Sequence, residues 1–188
     1  ALRSTRRRSS SSPRTTIAAA AVARLTPLLL ELGGHSPFVV LDDADVEQAA
    51  AAATRRSFSN TGQICIAVNR AIVADRIADD FAEAVAAATD QIVVGDPSDP
   101  ATTMGPATVD DVVRTSIHLE DAMARGGRLV RGGDAEGRYL RPIVVDRVPL
   151  DAKAMNEETY GPLLPIHRVA SDDEALAVAN GLEVGLAA

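Results

Sequence analysis

The chain contains no tryptophan, 3 phenylalanines, 2 tyrosines and a single cysteine among its 188 residues. With aromatic residues at 3%, its core has to be built from Ala, Val, Leu and Ile, within a hydrophobic content of 46%. That content excludes a disordered chain as the main description. No apolar run approaches the roughly 18 residues needed to cross a bilayer, so no membrane span is expected. One thiol cannot close an intrachain disulfide or build a structural metal site. A disulfide-built secreted domain is therefore not expected, no metal is expected, and a reducing cytoplasm is the expected compartment. The start is basic, but no signal-peptide core follows it: residues 17–23 are mostly alanine and are closed by Arg24.

Acidic residues are missing from residues 1–16, which carry five arginines (Arg3, Arg6, Arg7, Arg8 and Arg14). This Arg/Ser segment is expected to be a disordered tail. It could serve an anionic surface, or be a sequence foreign to the fold. The rest of the chain has 14 basic against 26 acidic residues, a net −12, which argues against nucleic acid as the main partner.

The remaining pattern alternates strand and helix signals. Residues 17–24 favour a helix. Residues 28–30 (Leu-Leu-Leu) and 38–41 read as continuous apolar strands buried on both faces. Asp42, Asp43 and Asp45 start a helix over 46–58. A strand over 70–74 and a helix over 77–94 follow, then the turn cluster 95–100. An amphipathic helix over 109–125 stops at Gly126-Gly127. Strands are predicted at 128–131, 139–148 and 163–169, with a loop over 155–162. Ser171 and Glu174 form a capping-box pattern for a last helix that ends near Asn180-Gly181. The predicted fold class is α/β, an open, largely parallel sheet flanked by helices. No internal repeat is present. The chain stops at Gly185-Leu186-Ala187-Ala188, so both ends look cut from something larger.

Three stretches carry candidate chemistry. Phe58-Ser59-Asn60-Thr61-Gly62-Gln63-Ile64-Cys65 places the lone thiol where a polar turn opens a new element. Cys65 is either a small buried hydrophobe or a nucleophile assisted by outward backbone N–H groups. Glu31 ends an apolar run and is followed by Leu32-Gly33-Gly34. It is either an exposed carboxylate or a general base, with glycines that let the backbone approach a ligand. In Glu157-Glu158-Thr159-Tyr160-Gly161-Pro162, two acids precede an aromatic and a breaker. They are a solvated turn or carboxylates that accept paired hydroxyls such as those of a ribose.

Together with Leu30-Glu31-Leu32-Gly33-Gly34-His35-Ser36-Pro37, these stretches resemble, in order and spacing, the signatures of the aldehyde dehydrogenase superfamily. Gly95-Asp96-Pro97, Met104-Gly105-Pro106, Glu174-Ala175 and Ala179-Asn180 resemble further blocks of it, so the likeness runs from about Ile17 to Ala188. The resemblance implies NAD- or NADP-dependent oxidation of a small aldehyde to a carboxylic acid. Cys65 would attack the aldehyde carbon as thiolate, and Glu31 would activate the water that hydrolyses the thioester. Glu158 matches the residue that binds the nicotinamide ribose. Tyr160 stands where the family often has Phe against the ring, and the backbone around Leu32 and Gly33 matches a segment beside it. The domains implied are a tail (1–16), a remnant of the dinucleotide-binding domain (17–32) and an incomplete catalytic domain (33–188). Full-length relatives are homo-oligomers.

His35 stands where many members have Lys and reads as a surface substitution. His118 and His167 match no family site. Ser59 and Ala67 replace the Arg and Cys of similar succinate semialdehyde dehydrogenases, so a dicarboxylic semialdehyde is not favoured. Most of the cofactor-binding half is absent from the likeness, so the isolated chain is expected to give no NAD-dependent reduction signal. The alternative is a non-catalytic fragment that associates with an intact subunit or an anionic surface. A frameshift in a GC-rich gene would account for residues 1–16.

Overall fold

The computed structural model describes residues 13–188, and its contacts divide the chain into two compact units, Ala1–Leu32 and Gly33–Ala188. In the first unit the helix α1 (Pro13–Val22) is closed by Leu25 in the left-handed region (φ 53). The Thr26 amide donates to the Ala21 carbonyl at 3.0 Å. This is the backbone closure a glycine usually provides. Residues 1–12 of the expected tail lie outside the described residues, whereas Pro13 to Thr16 belong to α1 rather than to a disordered segment. The strand expected at 28–30 does not form. Leu28, Leu29 and Leu30 have no regular structure and are 42%, 87% and 41% exposed. An apolar run becomes a strand only where a neighbouring strand takes up its backbone groups, and among the described residues none pairs with these three.

The second unit is built on a five-stranded sheet of order β1 (Ser36–Val40), β2 (Val68–Ala74), β7 (Leu163–Val169), β6 (Ile143–Asp146), β3 (Arg128–Arg131). The first four are mutually parallel, and β3 is antiparallel to β6 at the edge. Residues of β2 are buried throughout, and they alternate between two layers. Ala71 and Val73 face one core with Phe58, Phe81, Val85 and Ile166, while Ile72 faces another with Val169, Ala175 and Val178. Helices α2 (Val46–Phe58) and α3 (Ala78–Thr89) cover the first face. Helix α6 (Asp172–Ala179) contributes to the second face. Ala122 of α4 (Val109–Ala124), with Ala154 and Met155 of α5 (Lys153–Asn156), packs on Ile143, Val145 and Leu163 in a third cluster. Small residues such as Ala50, Ala53, Ala71 and Ala82, all essentially inaccessible, let helices and sheet approach closely without bulky aromatics.

Local chemistry explains the boundaries. Asp45 caps α2 by accepting from the Gln48 amide at 3.0 Å, and Ser171 caps α6 by accepting from the Glu174 amide at 3.3 Å. Gly126, at φ 99, closes α4 as the Gly-Gly pair predicts. The helix expected at 77–94 is shorter. A 3₁₀ turn (Asp75–Ile77) precedes α3, which ends at Thr89, and Val94 pairs instead with Met104. The strand expected at 139–148 is broken into β5 (Tyr139–Leu140) and β6. The intervening Pro142 lacks an N–H for the ladder, and β5 pairs with β4 (Ala135–Glu136) in a separate ribbon. The loop expected at 155–162 opens inside α5.

At the carboxyl ends of the strands an ion network closes the sheet. Asp146, the last residue of β6, is fully buried. Its carboxylate accepts from Arg168 Nε at 3.0 Å and Nη2 at 2.7 Å, from Arg128 Nη2 at 3.1 Å and from the Arg147 amide at 2.7 Å. Arg168, on β7, also reaches Asp75 and Asp79, beyond the end of β2, at 3.3 and 2.5 Å.

Candidate active site

The parallel register decides where the candidate residues fall. Ser36 pairs with Val68, Ala71 with Ile166 and Ile143 with Leu163. The segments that enter β1, β2 and β7 therefore meet at one edge, the amino ends of three adjacent strands. Gly33 precedes β1, Cys65 precedes β2, and Glu158 and Tyr160 precede β7. This edge is opposite to the carboxyl-end crevice where doubly wound sheets usually bind ligands.

The approach to Cys65 is an unusual backbone. Asn60 (φ 49), Thr61 (φ 60) and Gly62 (φ 71) lie consecutively in the left-handed region. For β-branched Thr61 such a conformation costs about 1–3 kcal/mol and persists only where the surroundings hold it. Thr61 Oγ1 donates to the Gly105 carbonyl at 2.9 Å, and the Asn60 side chain donates to the Gln63 carbonyl at 3.0 Å. Gln63 Oε1 accepts from the Thr108 amide at 3.0 Å. The Cys65 thiol follows in a turn between this motif and β2. It is half-buried rather than sealed in the core. Ser59 turns its hydroxyl back onto the Arg55 carbonyl at the end of α2.

Gly62 also ties this turn to the Glu158 segment. A Cβ at position 62 would lie 2.6 Å from the carbonyl carbon of Gly161, inside its contact radius. Gly62→Ala is expected to cost roughly 2–4 kcal/mol, from the left-handed backbone together with overpacking. Denaturant unfolding would measure it, with a change in the alkylation rate of Cys65 as the local readout.

Glu158 meets the loop before β1. A Cβ on Gly33 would lie 3.1 Å from the Glu158 carboxyl carbon and closer still to Oε2. Two of the sequence-predicted residues, Gly33 and Glu158, are thus in direct contact, and only a glycine leaves room for the carboxylate. Tyr160 is half-buried, with a left-handed φ of 52. Glu31 and Leu32 belong to the first unit, where both are exposed and outside regular structure.

The histidines differ from expectation. His35 is not a surface residue. It is 2% exposed, and its Nε2 donates to the Glu157 carbonyl at 3.1 Å. Burial, with Arg70 nearby, depresses its pKa to about 4, so it is neutral at pH 7. The partner carbonyl comes from a segment 122 positions away, which sequence spacing could not reveal. His118 is also 2% exposed; its Nδ1 lies 2.9 Å from Thr159 Oγ1 and its Nε2 3.6 Å from Glu157 Oε2. Burial lowers its pKa despite the Glu157 carboxylate. His167 Nδ1 donates to the Val148 carbonyl at 2.8 Å. The sequence did hold one signal for His118. Asp111, Thr115 and His118 recur at helical spacing on one face of α4, a polar stripe that turns out to be buried.

A half-buried thiol behind a left-handed turn and a carboxylate packed on a glycine thus stand in segments that meet at one sheet edge. Among the described residues, no group of three or more His, Cys, Asp or Glu side chains could hold a metal ion, and no helix is long and apolar enough to cross a membrane. Comparison with known proteins gives the lineage. The model of the aldehyde dehydrogenase family matches residues 9–188, starting ahead of Ile17. A succinate-semialdehyde dehydrogenase (NADP+) of Escherichia coli strain K12 is 41% identical over 164 residues, which are 85% of this chain and 34% of that protein. A vanillin dehydrogenase of Pseudomonas fluorescens is 42% identical over 166 residues, 87% of this chain and 34% of that protein. The crystal structure of succinate-semialdehyde dehydrogenase from Burkholderia pseudomallei superposes with a TM-score of 0.88 at 37% identity, covering 92% of this chain and 37% of that one. The chain thus spans about a third of the length of the relatives it matches. With a family match over nearly its whole length and a sheet that superposes on that of a solved relative, the chain belongs to the aldehyde dehydrogenase family.

Proposed function

We propose that this chain carries the thiol centre of an NAD(P)-dependent aldehyde oxidation, with Cys65 as nucleophile and Glu31 as the base that resolves the thioester. The observation that carries this reading is the half-buried Cys65 behind a turn whose three left-handed residues fix its approach. Such a backbone is held against strain, as reactive side chains often require. The thiolate adds to the aldehyde carbonyl to give a hemithioacetal on the sulfur. When bound, a nicotinamide coenzyme supplies the two-electron acceptor that turns this adduct into a thioester. Glu31 takes a proton from water, and the resulting hydroxide equivalent attacks the thioester carbonyl. The carboxylic acid leaves and the thiol is restored.

The residues present fit the ribose end of such a coenzyme. In the family pattern the Glu158 carboxylate accepts from a ribose hydroxyl, and Gly33 lacks the Cβ that would occupy the space this carboxylate fills. In the family pattern Leu32 and Gly33 supply the backbone beside the nicotinamide and Tyr160 an aromatic face. The substrate class is a small aldehyde, consistent with relatives named for succinate semialdehyde and vanillin. A reducing, cytoplasmic compartment suits a lone thiol, and assembly with further copies of the chain belongs to the same reading.

The experiment uses an activated aryl ester, which acylates the thiol without a coenzyme. In Glu31→Gln, deacylation is expected to slow by about 10²-fold or more, so that a one-acyl mass increase on the Cys65 peptide accumulates. Equal deacylation in the variant and the parent would exclude Glu31 as the base; failure of Cys65 to acylate would exclude the nucleophile.

A further inference from the structure

Helix α4 turns an unusual face inward. Asp111, Thr115 and His118 are 6%, 0% and 2% exposed, where an amphipathic helix normally packs apolar side chains. Burying polar groups costs free energy unless each is bonded, and here the bonds run to the helix itself and to one segment, residues 157–161. Arg114 Nη1 donates to the Thr159 carbonyl at 3.2 Å and to Asp111 Oδ1 at 2.6 Å. Thr115 donates to the Asp111 carbonyl at 2.7 Å, and its Cβ lies 3.3 Å from where a Cβ on Gly161 would sit. His118 grips the residues on both sides of Glu158: Nδ1 lies 2.9 Å from the Thr159 hydroxyl and Nε2 3.6 Å from the Glu157 carboxylate. With Nε2 protonated toward the carboxylate, Nδ1 accepts the Thr159 O–H.

Glu157 leaves α5 in an extended conformation, φ −122 and ψ 138. In extended chain, successive side chains point to opposite sides. Glu157 and Thr159 therefore face α4 together, while Glu158 is aimed the other way, onto Gly33. His35 holds the same segment from the β1 side through the Glu157 carbonyl.

We propose that His118 is a positioning residue for coenzyme binding: by clasping Glu157 and Thr159 it fixes the direction in which Glu158 presents its carboxylate beside Gly33. This rests on the reading of Glu158 as the hydroxyl acceptor. His118 itself touches neither aldehyde nor coenzyme. Its buried, neutral imidazole serves as a hydrogen-bonding strut.

The test compares the full chain with His118→Ala, His118→Asn and Glu158→Gln. Two readouts are taken: equilibrium titration with NADPH and amide exchange by mass spectrometry. In His118→Ala, NADPH binding is expected to weaken by about fivefold, the factor for one ordinary net hydrogen bond. Exchange over residues 153–163 should quicken about tenfold, with that of α6 and β2 unchanged. Asn places an amide where Nδ1 stood, and His118→Asn should recover most of both effects, as a packing role would not. It also serves if the alanine variant does not fold. Exchange that is unchanged over 153–163, or that rises equally throughout the chain, overturns the proposal. If Glu158→Gln binds NADPH as tightly as the parent, the reading of Glu158 fails and with it the coenzyme role of His118; the exchange arm then reports only whether the clasp exists.

Discussion

Cys65→Ala is expected to reduce turnover of an activated aryl ester to the uncatalysed background, a loss of about 10³-fold or more, while leaving the folded state nearly untouched. Removal of a nucleophile takes away the covalent route itself, so what is left comes from binding alone. The thiol is half-buried and outside the three core clusters, so its truncation leaves no large cavity. The unfolding free energy should accordingly change by less than about 1 kcal/mol. Cys65→Ser keeps the shape but offers a much weaker nucleophile at neutral pH, and it should fail almost as completely. Because Cys65 is the chain's single cysteine, stoichiometric loss of iodoacetamide labelling verifies the substitution in the same sample. Ester turnover that survives in Cys65→Ala would assign the chemistry to another group.

The largest effect on stability is expected at Asp146. Its carboxylate is wholly buried and answers three guanidinium hydrogen bonds, two from Arg168 and one from Arg128. Asp146→Ala removes the buried partner of Arg168, only 10% exposed in its side chain, and leaves it the more exposed Asp75 and Asp79. Breaking one side of such a buried pair costs about 3–5 kcal/mol, a large part of the stability of an ordinary domain. Denaturant unfolding at pH 7 measures the loss, and Asp146→Asn separates the charge from the volume. The same group sets an acid limit. Burial alone would push its carboxyl up, but the Arg168 fork, the Arg147 amide and the Arg128 hydrogen bond together outweigh burial and hold it below the ordinary range. Its contribution is therefore full above the unfolded carboxyl value of about 3.9 and is lost as pH falls below that, through the lowered folded value. The parent should lose stability in this window by an amount that Asp146→Asn does not show.

Much of the architecture was legible because local signals and burial agreed. The helix starts at Asp45 and Ser171, the Gly126 stop and the wholly buried β2 follow from capping chemistry and apolar runs. The misses share a cause. Leu28 to Leu30 look like a buried strand, yet strand formation depends on a partner that an apolar run does not encode. Residues 139–148 have the hydrophobicity of one strand, but Pro142 interrupts the ladder. His35 looks like an exposed replacement for a lysine because its partner, the Glu157 carbonyl, is supplied only by folding. In the candidate site, the residue types and their order pointed to Cys65, Glu158 and Gly33, whose segments the fold brings to one sheet edge. The left-handed run at 60–62 and the clasp from α4 were not readable, since both depend on contacts with Gly105, Gly161 and Thr159.

The sheet separates two kinds of work by its own length. The thiol and the Glu158 segment lie at the amino ends of the parallel strands, and the Asp146–Arg168 lock at the carboxyl ends. With β7 seven residues long, roughly 20 Å of rigid backbone stands between them. At that separation, substitutions that strengthen or weaken the lock should combine additively with substitutions around the thiol. A protein engineer could therefore raise the acid tolerance of this scaffold at one pole while reshaping reactivity at the other, with little trade-off between them.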